Sequence, residues 1–380
     1  MDFSFSEEQK MLRQSFRDFM ERECTPEYVK DGDEQGKPPY ELYNEIARLG
    51  WLGIALPKKY GGEGKGITEL AIMLEEVARK HYALAWMIIR ALIYGARALE
   101  KNGTEAQKKH FIPKIIKGES MFCFGLTEPE AGSDAGAVAL AAKQDGDGYI
   151  LNGQKIFLSG FHIADYCVLV TRTATMARRQ QGITTFIVDT KSPGIEATPI
   201  PTLGMRTIPT NQVFFNDVKV PRENILGRLH EGWGVVMSEL EASRAVYAVV
   251  TAGAASGVLE EAIKYAGERV QFGQPIGKFQ AIRHKLADMQ LDTYIAHNLA
   301  YRLAWMVDQG LPARKEAAMT KLFCSEAYNR VADQALQVFG GYGYAMDYPL
   351  QRHYRDSRLG RIGEGSSEIQ RDIIARELGI

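Results

Sequence analysis

The hydrophobic period of this chain changes twice, and few architectures accommodate that. Up to about Lys117 the apolar residues recur at helical spacing. Ser6 and Gln9 form a capping-box pair, after which Met11, Leu12, Phe16, Phe19 and Met20 share one helical face. A second helix is predicted over roughly 39–49, a loop over 57–66 (PKKYGGEGKG), and a helix from about Thr68 to a stop at Asn102-Gly103. Thr104 and Gln107 open another. From about 120 the pattern shifts to short β-branched and aromatic runs: MFCFGLT, GYILNGQKIFLSG, DYCVLVTR, TTFIVDT and NQVFFNDVKV. These predict an antiparallel β-block in which Asn152-Gly153 is the strongest hairpin signal. Helical period returns from Gly232 in three long segments, about 232–271, 278–308 and 313–338. The first carries the small-residue run VVTAGAASGV, which lets helices approach closely. The expected domains are helical over 1–119, β over 120–230 and helical over 231–380, an α+β chain.

Composition narrows the function. The chain has 380 residues, 45% of them hydrophobic, enough core for two or three domains. A net charge of −1 gives no general attraction to nucleic acid or anionic membrane. The cysteines Cys24, Cys123, Cys167 and Cys324 are scattered and fit reduced thiols of a cytosol. The N-terminus carries acids where a targeting peptide carries bases, and no uncharged apolar run reaches the ~18 residues of a membrane span. The expectation is a soluble cytoplasmic protein, without nucleic-acid partner or membrane insertion. The histidines lack metal-ligand spacing, so no metal is expected, and no GxSxG or Walker loop occurs.

Four places invite chemistry. LTEPEAGSD (126–134) and KIFLSG (155–160) supply hydroxyls, amides and an aromatic ring suited to a flat heteroaromatic cofactor, although a polar loop beside a half-buried strand would read alike. RVQFGQPIGKFQ (269–280) and QVFGGYGY (337–344) are glycine-bearing helix ends where backbone N–H groups can approach an anion, with Arg269 able to meet a phosphate. In RIGEGSSEIQR (361–371), Glu364 lies between two glycines just before a helix start. It could be a general base or an ordinary turn glutamate. Arg90 is the only Lys, Arg, Asp or Glu in HYALAWMIIRALIYGA (81–96). Its helical neighbours are Trp86, Met87, Ile93 and Tyr94, so it must be paired, snorkel or await an anion.

Taken in order, these elements resemble the acyl-CoA dehydrogenase family over nearly the whole chain. The motifs are SFSEEQKMLRQSFRDF, LTEPEAGSD, NGQKIFLSG, FNDVKVPRENILG, RVQFGQPIGKFQ, QVFGGYGY and YRDSRLGRIGEGSSEIQRDIIARE. The resemblance implies a helical N-terminal domain, a middle antiparallel β-barrel-like domain and a C-terminal four-helix bundle, assembled as a homotetramer with FAD at subunit interfaces. It implies FAD contacts at Phe124, Leu126, Thr127, Ser133, Phe157 and Ser159. For the neighbouring subunit's FAD it implies Arg269, Phe272, Phe279, Gln280, Gln337, Gly340 and Gly341, with Ser366 and Glu368 near the adenosine part. Glu241 and Arg244 match positions that contact CoA, and Ser133, Gly363 and Gly365 adjoin the substrate. Glu364 matches the base that takes the α-proton of an acyl-CoA thioester during α,β-desaturation, and electron-transferring flavoprotein is the implied electron acceptor. Some relatives place the base just before the residue matching Arg244; here that residue is Ser243, which cannot serve.

Two departures bear on the acyl group. Gly363 stands where many straight-chain enzymes carry a tyrosine, leaving room for a branched or ring-bearing chain. Arg90 falls where relatives close the end of the acyl pocket, and a cation there favours an acyl chain ending in carboxylate, of the methylsuccinyl-, benzylsuccinyl- or glutaryl-CoA kind. The alternatives are a short or branched monocarboxylic acyl-CoA with Arg90 paired to a nearby acid, or an oxygen-using flavin oxidase or monooxygenase of the same fold.

Overall fold

The computed structural model describes residues 4–380, apart from the side chain of Glu241. The chain begins with α1 (Glu7–Glu23), whose Ser6–Gln9 capping box closes in both directions, at 3.2 and 3.0 Å. Then come α2 (Pro26–Gln35) and α3 (Tyr40–Arg48). Helix α2 escapes a reading by periodicity because only Val29 and Asp33 are buried on it. Its punctuation is nevertheless strong: Thr25 caps it, Pro26 starts it and Gly36, left-handed at φ 63°, ends it. The helix expected over 68–102 is interrupted. His81 leaves helical geometry at φ −143° and caps the next helix through its ring nitrogen, giving α4 (Ile67–Lys80) and α5 (Tyr82–Ile89). A wider π-helical segment, Arg90–Arg97, follows, then α6 (Ala98–Asn102) and α7 (Glu105–Ile116).

The middle block holds β1 (Phe122–Gly125), β2 (Ala141–Asp145), β3 (Gly148–Ser159), β4 (Tyr166–Arg172), β5 (Ile183–Asp189), β6 (Ile195–Ile200), β7 (Thr210–Pro221) and β8 (Ile225–Leu226). The sheet order is β6-β7-β3-β2-β4-β5-β8, with β1 on β4. Two expectations need correction. The sheet is mixed, because β1 arrives from α7 and pairs with β4 in parallel, Phe122 opposite Tyr166. Asn152-Gly153 is no hairpin turn: both lie inside β3, at a register shift against β7. The Asn152 amide there exchanges hydrogen bonds with Asp217, at 2.9 and 3.0 Å, and Asp217 is itself left-handed. The same side-chain chemistry that favours tight turns stabilises a bulge here. The β2–β3 turn is made by Gly146 instead, at φ 59°.

Helix α8 (Gly232–Glu268) is the longest. A two-strand turn, β9 (Val270–Gln271) and β10 (Gln274–Pro275), connects it to α9 (Gln280–Asp308). Next come α10 (Arg314–Phe339), α11 (Gly341–Tyr344), α12 (Leu350–Ser357) and α13 (Ser367–Glu377). Residues 82–102 and 232–268 have the length and hydropathy of membrane spans, but 94% and 78% of their most apolar windows are buried inside the protein. They are core helices. On the other side of the core, Glu76 of α4 is fully buried and takes hydrogen bonds from Arg13, Arg17 and Arg79, at 2.7, 2.9 and 3.1 Å, which ties α1 to α4.

The small-residue run of α8 meets α4 backbone to backbone. A Cβ on Gly253 would stand 2.4 Å from the Glu75 carbonyl oxygen, and one on Gly257 would stand 2.0 Å from that of Arg79. Neither oxygen can swing aside, since each belongs to a helix. Gly257→Ala should therefore lower stability by about 1–3 kcal/mol, although alanine is the better helix former by about 1 kcal/mol. Equilibrium urea unfolding measures it; an unchanged or raised midpoint would mean that the helices can part without cost.

Candidate active site

Glu364 sits in the short loop between α12 and α13. Its backbone is left-handed, at φ 59°, as is that of Gly365, at φ 84°. The carboxylate is held by two hydroxyls. Tyr94, from the π-helical segment, donates a short hydrogen bond to Oε1, and Ser243 of α8 donates to Oε2 at 2.7 Å. The Tyr94 ring lies flat on Phe124 of β1, with centroids 4.9 Å apart and planes within 8°. Helix, strand and bundle thus meet at one carboxylate. The loop backbone is gripped as well. The Glu364 carbonyl accepts from Gln370 Nε2 at 3.1 Å and from Arg244 Nε at 3.4 Å. That of Gly365 accepts from Lys321 Nζ at 2.7 Å and Gln370 Nε2 at 2.9 Å. A Cβ on Gly363 would meet nothing closer than Leu359, at 3.6 Å, so glycine here leaves open space that no backbone contact requires.

Arg90 opens the π-helical segment one turn before Tyr94 and is buried, 6% exposed. Among the described residues no carboxylate lies within ion-pair range of it, and its Nε has no hydrogen-bond partner. Its guanidinium rests 5.3 Å over the Trp86 ring. Its Cδ lies 3.5 Å from where a Cβ of Gly160, next to Ser159, would stand. Burial lowers its pKa, partly offset by Tyr94, the nearby thiols Cys123 and Cys167, and Glu364. The π-helical turn widens the helix where Arg90 and Tyr94 are both presented, as such turns often do at functional sites.

The residues assigned by resemblance to the flavin fall into two groups. Near β3, the buried Lys155 ammonium holds the Leu126 carbonyl at 2.8 Å and Glu128 at 2.7 Å, and the Thr127 carbonyl accepts from the Ile156 amide, fixing the loop to the strand. Phe157 stands at a break in the β3–β7 register with left-handed backbone, φ 58°, and its ring is 60% exposed. Ser159 meets Thr210 at 3.2 Å, while Ser133 is exposed. An exposed aromatic face held on left-handed backbone can receive a stacked ring system. The second group lies at the far end of α8. Arg269 rests over Tyr342 at 5.3 Å, which joins the 269–280 turn to the 337–344 turn. Phe272, left-handed at φ 50°, is 95% exposed and Phe279 stands edge-on to it. Gln280, Gln337, Gly340 and Gly341 are exposed around them. Arg244 and Arg269 are 25 residues apart on one helix, roughly 37 Å of rise. Within one subunit this group cannot reach Glu364. Ser366 caps α13 at 3.4 Å and Glu368 is exposed. The side chain of Glu241 lies outside the described residues.

The residues present fit a flavin dinucleotide: two exposed aromatic faces on left-handed backbone, hydroxyls near one of them, and an arginine beside a glycine turn near the other. Sequence reasoning passed over Tyr94, Lys321 and Gln370 as functional residues. Tyr94 was visible as a tyrosine one turn from Arg90, and Lys321 as a lysine in the apolar stretch AAMTKLF. Nothing in the sequence signalled Gln370.

Three family models match the chain in succession: the acyl-CoA dehydrogenase N-terminal domain over residues 6–119, the middle domain over 123–218 and the C-terminal domain over 230–379. The chain is 40% identical to a 3-(aryl)acrylate reductase of Clostridium sporogenes, covering 98% of this chain and 99% of the relative. It is 39% identical to a caffeyl-CoA reductase–Etf complex subunit of Acetobacterium woodii, covering 98% of each. Among solved structures, a glutaryl-coenzyme A dehydrogenase in complex with glutaryl-CoA superposes with a TM-score of 0.96 at 36% identity, over 100% of this chain and 97% of the other.

The two-hydroxyl hold on Glu364 is directly testable. Tyr94→Phe keeps the ring on Phe124 and removes one charge-assisted hydrogen bond, worth about 1.5–3 kcal/mol. Stopped-flow bleaching of the flavin by an acyl-CoA should slow about tenfold or more, with flavin content unchanged; an unaltered rate would make the bond incidental.

Proposed function

Since the chain belongs to the acyl-CoA dehydrogenase family of FAD-dependent oxidoreductases, we propose that it desaturates a CoA thioester between Cα and Cβ, with Glu364 as the base and Arg90 as the reader of a carboxylate on the acyl group. The observation that carries the substrate reading is the buried Arg90 guanidinium, which has no carboxylate partner among the described residues. A buried cation left uncompensated costs several kcal/mol, on the order of what a substrate anion would return. Burial raises the pKa of its neighbours Cys167 and Tyr94, so neither supplies a counter-charge at neutral pH. The open space at Gly363 gives a substituted chain room beside the base. The likeness to a glutaryl-CoA complex supports the same reading.

Bound FAD supplies the acceptor for the hydride that leaves Cβ. Glu364 takes the α-proton, and the hydroxyls of Tyr94 and Ser243 keep its carboxylate aimed until the thioester arrives. The backbone N–H of Glu364 is one donor to the thioester oxygen, stabilising the enolate as it develops. By microscopic reversibility the same residue returns a proton to Cα when the reaction runs toward the saturated thioester, the direction in which the aryl-acrylate and caffeyl-CoA relatives are named. Electron-transferring flavoprotein is the proposed redox partner, supported by the relative that is a subunit of an Etf complex. The length of α8 keeps Arg269 and Phe272 away from Glu364 of their own subunit, which supports an oligomer, proposed as a homotetramer, in which they complete the flavin site of a neighbour.

Glu364→Gln should retain FAD and acyl-CoA binding while turnover falls at least ~100-fold; flavin reduction at the wild-type rate would put the base elsewhere. Arg90→Met should lose about 2–5 kcal/mol of transition-state stabilisation on a succinyl- or glutaryl-type thioester and improve on the matching methyl ester or alkyl analogue. Comparing kcat/KM of both proteins on acid and neutral substrates decides it. A wild-type preference for the neutral analogue, or an equal loss on both, would leave a short or branched monocarboxylic substrate and a structural arginine. Fast reoxidation of the reduced flavin in air would favour an oxygen-using enzyme over a dehydrogenase.

A further inference from the structure

Lys321 lies on α10 with no exposed surface, and among the described residues no carboxylate is within ion-pair range of it. A methionine would fill the same volume without a charge to bury, so packing alone does not explain a lysine. Its ammonium is aimed at the Gly365 carbonyl, 2.7 Å away. That carbonyl belongs to the only loop in the described structure on which Glu364 depends for its direction. Glu364 and Gly365 are left-handed in succession, at φ 59° and 84°. Gly365 adopts this freely, whereas a glutamate does so against the steric preference of any residue with a Cβ. A side chain pointed from such a backbone returns to the common region, and points elsewhere, unless its flanking peptides are fixed. The two carbonyls that would swing in that relaxation are those engaged: Glu364's by Gln370 and Arg244, Gly365's by Gln370 and Lys321. Among these donors the neutral amide of Gln370 spans both oxygens, and Lys321 supplies the shortest bond and a charge.

Resting on the reading of Glu364 as the base, we propose that Lys321 is a positioning residue, whose ammonium locks the left-handed turn and thereby sets both the reach of the Glu364 carboxylate and the direction of its backbone N–H. Lys321 touches no reacting atom; it acts through the loop.

The proposal has a pH signature. Burial pushes the Lys321 amine down to about 8, opposed by Glu364, Glu326 and Glu368 and reinforced by Arg244. These charges face it from its own helix (Glu326), from α8 (Arg244) and from the base loop and α13 (Glu364, Glu368); Glu326 is itself engaged by Arg371 at 3.1 Å. The charged form is the one that grips, so it is present below about pH 8 and lost above it. Turnover should accordingly fall on the alkaline side of that value.

The experiment compares FAD-loaded wild type, Lys321→Met, Lys321→Arg and Glu364→Gln. For each, kcat and KM are measured against pH. The exchange of acetyl-CoA α-protons with deuterated water is followed separately; acetyl-CoA has no β-carbon and so reports deprotonation without hydride transfer. K321M should lose roughly tenfold to a hundredfold in kcat and in exchange rate, the scale of a base misplaced by about an ångström. KM, flavin content and melting temperature should stay near wild type, and the limb above pH 8 should vanish. K321R, charged at every accessible pH, should recover most of the rate and move the limb upward. Wild-type kcat and exchange in K321M would overturn the proposal, as would a loss explained entirely by missing flavin or raised KM. An E364Q enzyme that still turns over would sink the base assignment itself, whereas inactive E364Q beside unaffected K321M sinks only the role of Lys321. If K321M does not accumulate folded, K321R with the wild-type profile decides: an alkaline limb identical in the two removes Lys321 from the mechanism.

Discussion

The backbone contact between α4 and α8 sets the geometry on which everything else depends. Gly253 and Gly257 let α8 lie against the carbonyls of Glu75 and Arg79 with no side chain between them. This seats the middle of α8 in the core and fixes where the segments on either side of it lie. Ser243 and Arg244 come out beside Tyr94 and the Glu364 loop, and Arg269 comes out at the opposite end, beside Tyr342. The second anchor is electrostatic. Glu75 accepts from His297 and Tyr301, at 2.7 and 2.8 Å, so α4 is bonded to α9 at the level where it touches α8. Close packing without hydrogen bonds would permit sliding; the buried carboxylates fix the register.

Buried charge is used in two different ways in this molecule. Glu75 and Glu76 are paired by Arg13 and Arg17 of α1, Arg79 by Glu21 of α1 and Glu260 of α8, and Lys155 by Glu128, so these charges join the elements they come from. Arg90 and Lys321 carry charges of the same sort into the core and meet no carboxylate there among the described residues. One lies over an aromatic ring, and the other donates to a carbonyl of the Glu364 loop. Desolvation disfavours both charged forms, and each is offset by uncharged groups around it: the Trp86 ring beside Arg90 and the Gly365 carbonyl beside Lys321. Whether a buried cation meets a carboxylate is set by the packing around it and cannot be read from residue type.

Much of the site was legible in the sequence. Three left-handed non-glycine residues, Phe157, Phe272 and Glu364, fall inside motifs whose glycines and aromatics marked them before any coordinates. The misreadings share a cause. Asn152-Gly153 has the chemistry of a hairpin turn, and whether such a pair turns the chain or bulges a strand depends on the strand across from it, here Asp217 on β7. Helix α2 buries too little to show a period, and the parallel pairing of β1 with β4 joins segments more than 40 residues apart. Local patterns carry no information about such partners.

The sequence by itself determined the order of helical, β and helical blocks, the caps at Ser6 and Thr104, and the place of Glu364 between glycines at a helix start, because these follow from periodicity and from backbone preferences spanning a few residues. Only the tertiary structure decided that Arg90 meets no carboxylate among the described residues, that Tyr94 and Ser243 hold the Glu364 carboxylate, and that Lys321 and Gln370 hold its loop. Those contacts join residues up to 270 positions apart. What a polar side chain does once buried is set by whichever groups the packing of distant helices brings within about 3 Å of it.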